Sequence, residues 1–183
     1  MPFDELNILK AKIEAVKAQD PDRLKKDKGY YIDEITDFFV LSYVYGTNEA
    51  GKQLDAEIMP DLADLQEALS KRFDGKDYKE RLSDYFESGT TYDINRVLET
   101  DMHRIYNTGL WDGARRAGAT HKTWNCMMLP TSRDTHIYLD STKIPIDAEF
   151  YSFKGGKTMY PGEWGIAEED CNCMCWVTFS KEG

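Results

Sequence analysis

Three thiols stand at alternate positions near the end of the sequence, Cys171, Cys173 and Cys175, in the run CNCMCWVTF. Thiolate and imidazole are the donors that hold zinc in a tetrahedron. The donors that could join the thiols are His136 and Asp134, two apart in the run RDTH, with Cys126 or His121 behind them. One expectation is therefore a zinc site drawn from Asp134, His136, Cys173 and Cys175. Against it, the chain has no Cys-x-x-Cys pair, the spacing that marks zinc most strongly. A disulfide within Cys-x-Cys is hindered, because strand residues two apart are separated by about 6.5–7 Å at Cα, near the limit a disulfide spans. The third reading is a set of buried free thiols, since free cysteine packs as a small hydrophobe. In an extended strand Cys171, Cys173, Cys175, Val177 and Phe179 share one face, and its apolar continuation makes that face the buried one.

Other chemistry is sparse. The His-x-Glu and Pro-Cys-x-x-Cys of zinc deaminases are absent, as are the P-loop and the Gly-x-Gly-x-x-Gly turn. Cys126 with His121 or His136 could form a nucleophile–base pair. A metal-dependent or cysteine-dependent enzyme thus stands as an alternative, with no catalytic residue assigned. Ser132, Asp134 and Thr135 also suit a turn with local backbone hydrogen bonds. From Gly113 to Arg133 the four charged residues, Arg115, Arg116, Lys122 and Arg133, are all basic. They read as a solvated helix end or as a patch for an anionic partner such as DNA. Glu99 and Asp101 read as a solvated helix face.

Several elements must position these groups. Leu6, Leu9, Ile13 and Val16 form an amphipathic stripe, broken at Asp20-Pro21-Asp22. An aromatic-rich segment, Ile32 to Val44, ends at Gly46; its aromatics are core or partner-facing. Leu54, Ile58, Leu62, Leu65 and Leu69 continue the helical spacing, with a break expected just before Pro60. Tyr78 to Phe86 is a short helix stopping near Gly89. The best-defined helix is capped by Thr91, has Asp93 in its first turn, and buries Ile94, Leu98, Met102, Ile105 and Tyr106 before stopping at Gly118. Gly109 and Gly113 either bend it or let a neighbouring backbone come close. Beyond it, short β-prone pieces at 123–127, 143–146, 150–153 and 172–179 alternate with turns. The class is α+β: a helical N-terminal half whose long helix leads into a small C-terminal β-rich lobe.

The 183 residues suit one domain, or one domain with a helical extension, and the net charge of −10 argues against an unaided nucleic-acid binder. No apolar run reaches the roughly 20 residues of a membrane span, and the first residues lack a signal peptide's apolar stretch. The expected setting is the cytoplasm, or the inside of an assembly.

One more pattern spans residues 77–179. Lys122 and Trp124 form Lys-x-Trp; Arg133, Asp134, His136, Leu139 and Asp140 follow at fixed gaps; Tyr160-Pro161-Gly162 and then Asn172, Cys173 and Cys175 come later. Upstream, Thr100, Arg104, Asn107, Ala117 and Gly118 fit a long helix closing on Ala-Gly. This set resembles the Mu F-like phage head morphogenesis family, the minor head or minor capsid proteins. The chain departs from that pattern at Glu99, Leu129, Ser141 and Met174, and Cys171 is an additional thiol. The resemblance implies a Mu F-like domain over 77–183 behind a helical region, 1–76. It implies a structural protein rather than an enzyme, acting in procapsid assembly near the portal and in handling packaged DNA. Its partners would be the portal protein and major capsid or scaffold proteins, and possible phage DNA contacts. Its place would be the capsid interior of the virion, and the host cytoplasm during assembly.

Overall fold

The computed structural model describes residues 3–73, 75–88 and 94–182, with side chains from Leu6 on. The cap at Thr91, the acidic first turn at Asp93 and the stop near Gly89 lie outside the described residues. Helix α1 (Phe3–Gln19) buries the stripe of Leu6, Leu9 and Ile13. Asp20 ends it and opens α2 (Pro21–Lys26): its carboxylate accepts from Arg23 N at 3.0 Å, and Pro21 takes the first helical position.

Helix α3 (Lys28–Gln53) runs straight through Gly46, although that glycine reads locally as a stop. Glycine inside a helix costs only about 1 kcal/mol relative to alanine, and here it lies against the backbone of the long helix α6 (Ile94–Arg116), beside Tyr106 O. Tertiary packing outweighs local propensity. Past Leu54 the chain turns at Asp55, φ 48°, and stays out of helix through Pro60; α4 (Leu62–Ser70) starts only after Asp61, whose carboxylate accepts from Ala63 N at 2.7 Å and Asp64 N at 3.4 Å. Leu54 and Ile58 therefore fall outside α4. Helix α5 (Tyr78–Ser88) completes the helical half.

Helix α6 is shared by two buried clusters. The first joins Leu6, Ile35, Phe39, Leu82 and Tyr85 to Leu98 and Ile105, and the second joins Leu110 and Ala114 to the β-rich lobe. Gly46, Gly109 and Gly113 lie where α3 and α6 touch, so close approach rather than bending explains the latter two. Of the aromatics over residues 30–45, Tyr31, Phe39 and Tyr43 are core, while Tyr30 and Tyr45 are exposed. Asp101 is 3% exposed and pairs with Arg81 and Arg104. The reading of a solvated face thus fails at Asp101, and holds for Glu99, which is exposed and pairs with Lys10 at 2.7 Å.

The lobe begins after Gly118, which stops α6 in the left-handed conformation with φ +76°. An antiparallel sheet has β1 (His121–Asn125) between β2 (Lys143–Pro145) and β5 (Trp176–Ser180), with Trp124 opposite Val177. A small hairpin pairs β3 (Phe150–Tyr151) with β4 (Lys157–Thr158). Two short helices, α7 (Asp134–Leu139) and α8 (Ala167–Asp170), fill the crossings. The expected strand from 172 is shorter than its apolar pattern: Asn172 has φ 55°, which breaks the extended run, and β5 starts only at Trp176. Cys173, Cys175, Val177 and Phe179 are buried, whereas Cys171 is half-buried and leaves that face, its sulfur accepting from Arg96 at 3.0 and 3.2 Å.

Candidate functional site

The 171–175 turn is held from two sides. From α6, His103 Nε2 lies 2.5 Å from Cys175 O and Asn107 Nδ2 donates to the same carbonyl at 3.2 Å. A carbonyl can only accept, so His103 carries its proton on Nε2. Thr100 Oγ1 accepts from Asn172 N at 3.3 Å. From the lobe, Asp170 O accepts from Cys173 N at 3.2 Å, and the Asp170 carboxylate takes Trp164 N at 2.9 Å and Gly165 N at 2.8 Å. All four cysteines are free thiols.

His136 meets the turn from α7. Its ring is 2% exposed and lies between the edge of Trp124, 5.5 Å away, and the face of Trp164, 6.0 Å away. Its Nδ1 is 3.5 Å from both Cys173 Sγ and Cys175 Sγ, and the three donor atoms lie within 4.8 Å of one another. On the far side of the ring, Glu169 Oε2 lies 3.0 Å from Nε2, off the N–H direction. Glu169 is itself buried and accepts from Thr135 Oγ1 at 2.8 Å.

The two thiols are unequal. Cys175 beside it, then the His136 ring, hold the Cys173 thiol well below its ordinary range despite burial. Cys175 is pushed up by its bond to Cys173, by burial and by neighbouring Cys126. The two sulfurs therefore titrate as a pair. A crevice of about 30 Å³ reaches them, lined by Met127, Ser132 and Arg133 as well as the three donors; about 10–15 Å³ admits one water.

The structure brings together His136, Cys173, Cys175, Trp124 and Leu139, all buried. Arg133 donates to Cys171 O, and Asp140 Oδ1 accepts from Cys126 N at 2.7 Å, so both serve the backbone around the cluster. Asp134 does not join: it is exposed at the first turn of α7, where a carboxylate suits the helix dipole, and the donor cluster excludes it. His121 sits at the opposite end of β1, 3.4 Å from Glu182. Glu169 and His103 are not legible as site residues in the sequence. The acidic run 168–170 and a histidine within a helical stripe carry no local mark of a partner elsewhere in the chain.

The four basic residues meet different partners. Arg116 pairs with Asp64 and, at 3.6 Å, with Asp61; Arg133 is taken by a carbonyl; Arg115 stands over Trp111. Lys122 is 0% exposed, its ammonium 4.4 Å from the Trp111 ring centre and 5.3 Å from that of Phe150. Burial pushes it down to about 8, against the pull of Asp147 and Glu149. From about pH 8 up to its ordinary 10.5, the folded chain carries Lys122 neutral while the unfolded chain holds the proton. Stability from this group therefore rises with pH across that window. Lys122→Met should remove that rise. Urea midpoints at a pH below and a pH above 8, compared between wild type and variant, measure it.

An α+β protein whose long helix and small sheet close on a buried His–Cys–Cys cluster is what fold and site define. Over 90 residues, 48% of this chain, it is 31% identical to the minor head protein GP7 of Bacillus phage SPP1. The matched stretch covers 29% of that protein's length, so this chain corresponds to less than a third of it. No family model matches the chain, and no solved structure does. Among the described residues no helix is long and apolar enough to cross a membrane.

Proposed function

We propose that this chain is a Mu F-like minor head protein, a structural component built in few copies into the phage procapsid beside the portal and inside the shell. The observation that carries the reading is the 90-residue similarity to a protein named as a minor head protein. The local chemistry agrees with a structural role. Trp124 and Asn107 are spent on packing and on holding backbone. A nucleophilic Cys173 would need substrate access, and it is 3% exposed beside a crevice of about 30 Å³, which suits water and not a substrate. Handling of packaged DNA belongs to this reading through the portal complex, since Lys122 is buried and Arg116 and Arg133 are engaged by Asp64 and the Cys171 carbonyl.

The test uses the phage or prophage that encodes the chain. Heads purified away from free protein should contain it, resistant to external protease until the shell is opened, and tagged portal protein should retain it. Purified heads that lack the chain, with no retention on portal, would overturn the proposal.

A further inference from the structure

We propose that His136 Nδ1, Cys173 Sγ and Cys175 Sγ bind one Zn²⁺, with water from the adjoining crevice as fourth ligand and Glu169 orienting His136 from behind. This does not depend on the head-protein reading.

The first support is distance. With zinc bonds of about 2.3 Å to sulfur and 2.0–2.1 Å to nitrogen, the N···S edge of a tetrahedron is about 3.5 Å. Both Nδ1···Sγ distances are 3.5 Å. Both are within hydrogen-bond reach of sulfur, but the single N–H or lone pair at Nδ1 can be directed at only one of two equidistant sulfurs. The arrangement suits three donors around a common centre. The ligand types also fit: two thiolates and an imidazole favour zinc over hard cations such as magnesium or calcium.

The second support comes from the other side of the ring. Histidines on metals usually give their remaining N–H to a carboxylate, which fixes the tautomer and raises ligand basicity. Glu169 Oε2 stands 3.0 Å from Nε2, buried, and is held by Thr135. A buried carboxylate is costly without a partner. With Nδ1 on zinc, Nε2 must carry the remaining proton, and a tilt of the ring on metal binding would bring that N–H onto Glu169 Oε2, 3.0 Å away.

The third support is the lobe's construction. Its strands are two to five residues long, too short to hold the lobe by pairing alone. A metal joining α7 to the 171–175 turn would tie segments 37 and 39 residues apart. Small lobes commonly use such a staple. Cys126 lies beside Cys175 but outside the three-donor set, and the crevice opens on the cluster, so the fourth position belongs to water.

The experiment measures metal in the full chain purified without chelator, and then exchanges cobalt for zinc. The expected result is one zinc per chain. The cobalt form should show thiolate-to-metal charge transfer and the strong ligand-field bands of a tetrahedral site. Chelation should free two further thiols to titration and lower the melting temperature. Cys173→Ser and Cys175→Ser should lose the metal, while Cys126→Ser and Asp134→Asn keep it. Glu169→Gln should weaken zinc binding about 10–100-fold in a chelator competition. The wild-type measurements decide the matter even if a cysteine variant fails to fold. A wild-type chain that neither carries nor takes up zinc, shows no cobalt bands, and titrates the same number of thiols with and without chelator would leave only packed thiols. Loss of the metal in Cys126→Ser would overturn the water-filled fourth position.

Discussion

Asp101→Ala is expected to destabilise the fold by about 3–5 kcal/mol, the cost of breaking a buried ion pair by removing one partner. Asp101 lies between two guanidinium groups. Arg81 from α5 donates to one carboxylate oxygen, and Arg104, one turn on, reaches the other at 3.3 Å. All three side chains are at most 5% exposed. Each arginine also serves a carbonyl: Arg81 donates to Lys76 O at 2.9 Å and Arg104 to Ala68 O at 3.0 Å. The carboxylate therefore compensates two cations that fix α4, the Phe73–Lys76 bridge and α5 onto α6. Alanine leaves both cations buried and uncompensated. Asn keeps an acceptor but not the charge, so it should recover only part of the loss. For a chain of this size the alanine effect corresponds to a melting temperature lower by roughly 6–20 °C. Guanidinium unfolding followed by circular dichroism measures it. A loss under 1 kcal/mol would mean that the arginines find water once the carboxylate is gone.

That result bears on how much of this fold is legible in sequence. The stripes that face one core, Leu6-Leu9-Ile13 and Ile94-Leu98-Met102-Ile105, are visible because helical spacing is a local property. So are the stop at Gly118 and the break before Asp61, where one residue's backbone preference decides. Gly46, Asp101, Lys122 and Cys171 mislead for one shared reason. From its own neighbours alone, Gly46 reads as a stop, Asp101 as solvated, Lys122 as part of a patch and Cys171 as a core thiol. Their states are set by Tyr106, Arg81, Trp111 and Arg96 respectively, none of which is a neighbour in the chain. The cluster shows the same division. His136, Cys173 and Cys175 carry a motif and are legible through resemblance. Glu169 and His103 become visible only once the chain is folded, because nothing local marks a residue that acts on another's far side. Asp134 fails in the opposite direction: it is near His136 in sequence, yet it does not share the same centre.

Gly109→Ala offers the sharpest test of the helical half, because local and tertiary effects have opposite signs there. In an isolated helix the exchange gains about 1 kcal/mol. In this fold a β-carbon at Gly109 would sit 2.2 Å from Tyr43 O of α3, and one at Gly46 would sit 2.2 Å from Tyr106 O of α6. Both obstacles are backbone atoms of long helices, so no side-chain rotation relieves them; α3 and α6 must part. Parting loosens Tyr43, Ala50, Leu110 and Ala114 together, all 0% exposed at this contact, and dispersion falls steeply with small gaps. The net loss for Gly109→Ala should reach about 3 kcal/mol, the upper end of the overpacking range, three times the propensity gain. At Gly29, in the first turn of α3, a β-carbon would meet no other part of the protein within 4 Å. The same exchange there should therefore stabilise, by a few tenths to about 1 kcal/mol. The double variant Gly46→Ala/Gly109→Ala should lose less than the sum of the single losses, because helices already parted by one methyl leave room for the other. Equal stabilisation at Gly29 and Gly109 would mean that the two helices do not touch through their backbones in solution, and the shared role of α6 in both cores would fall with it.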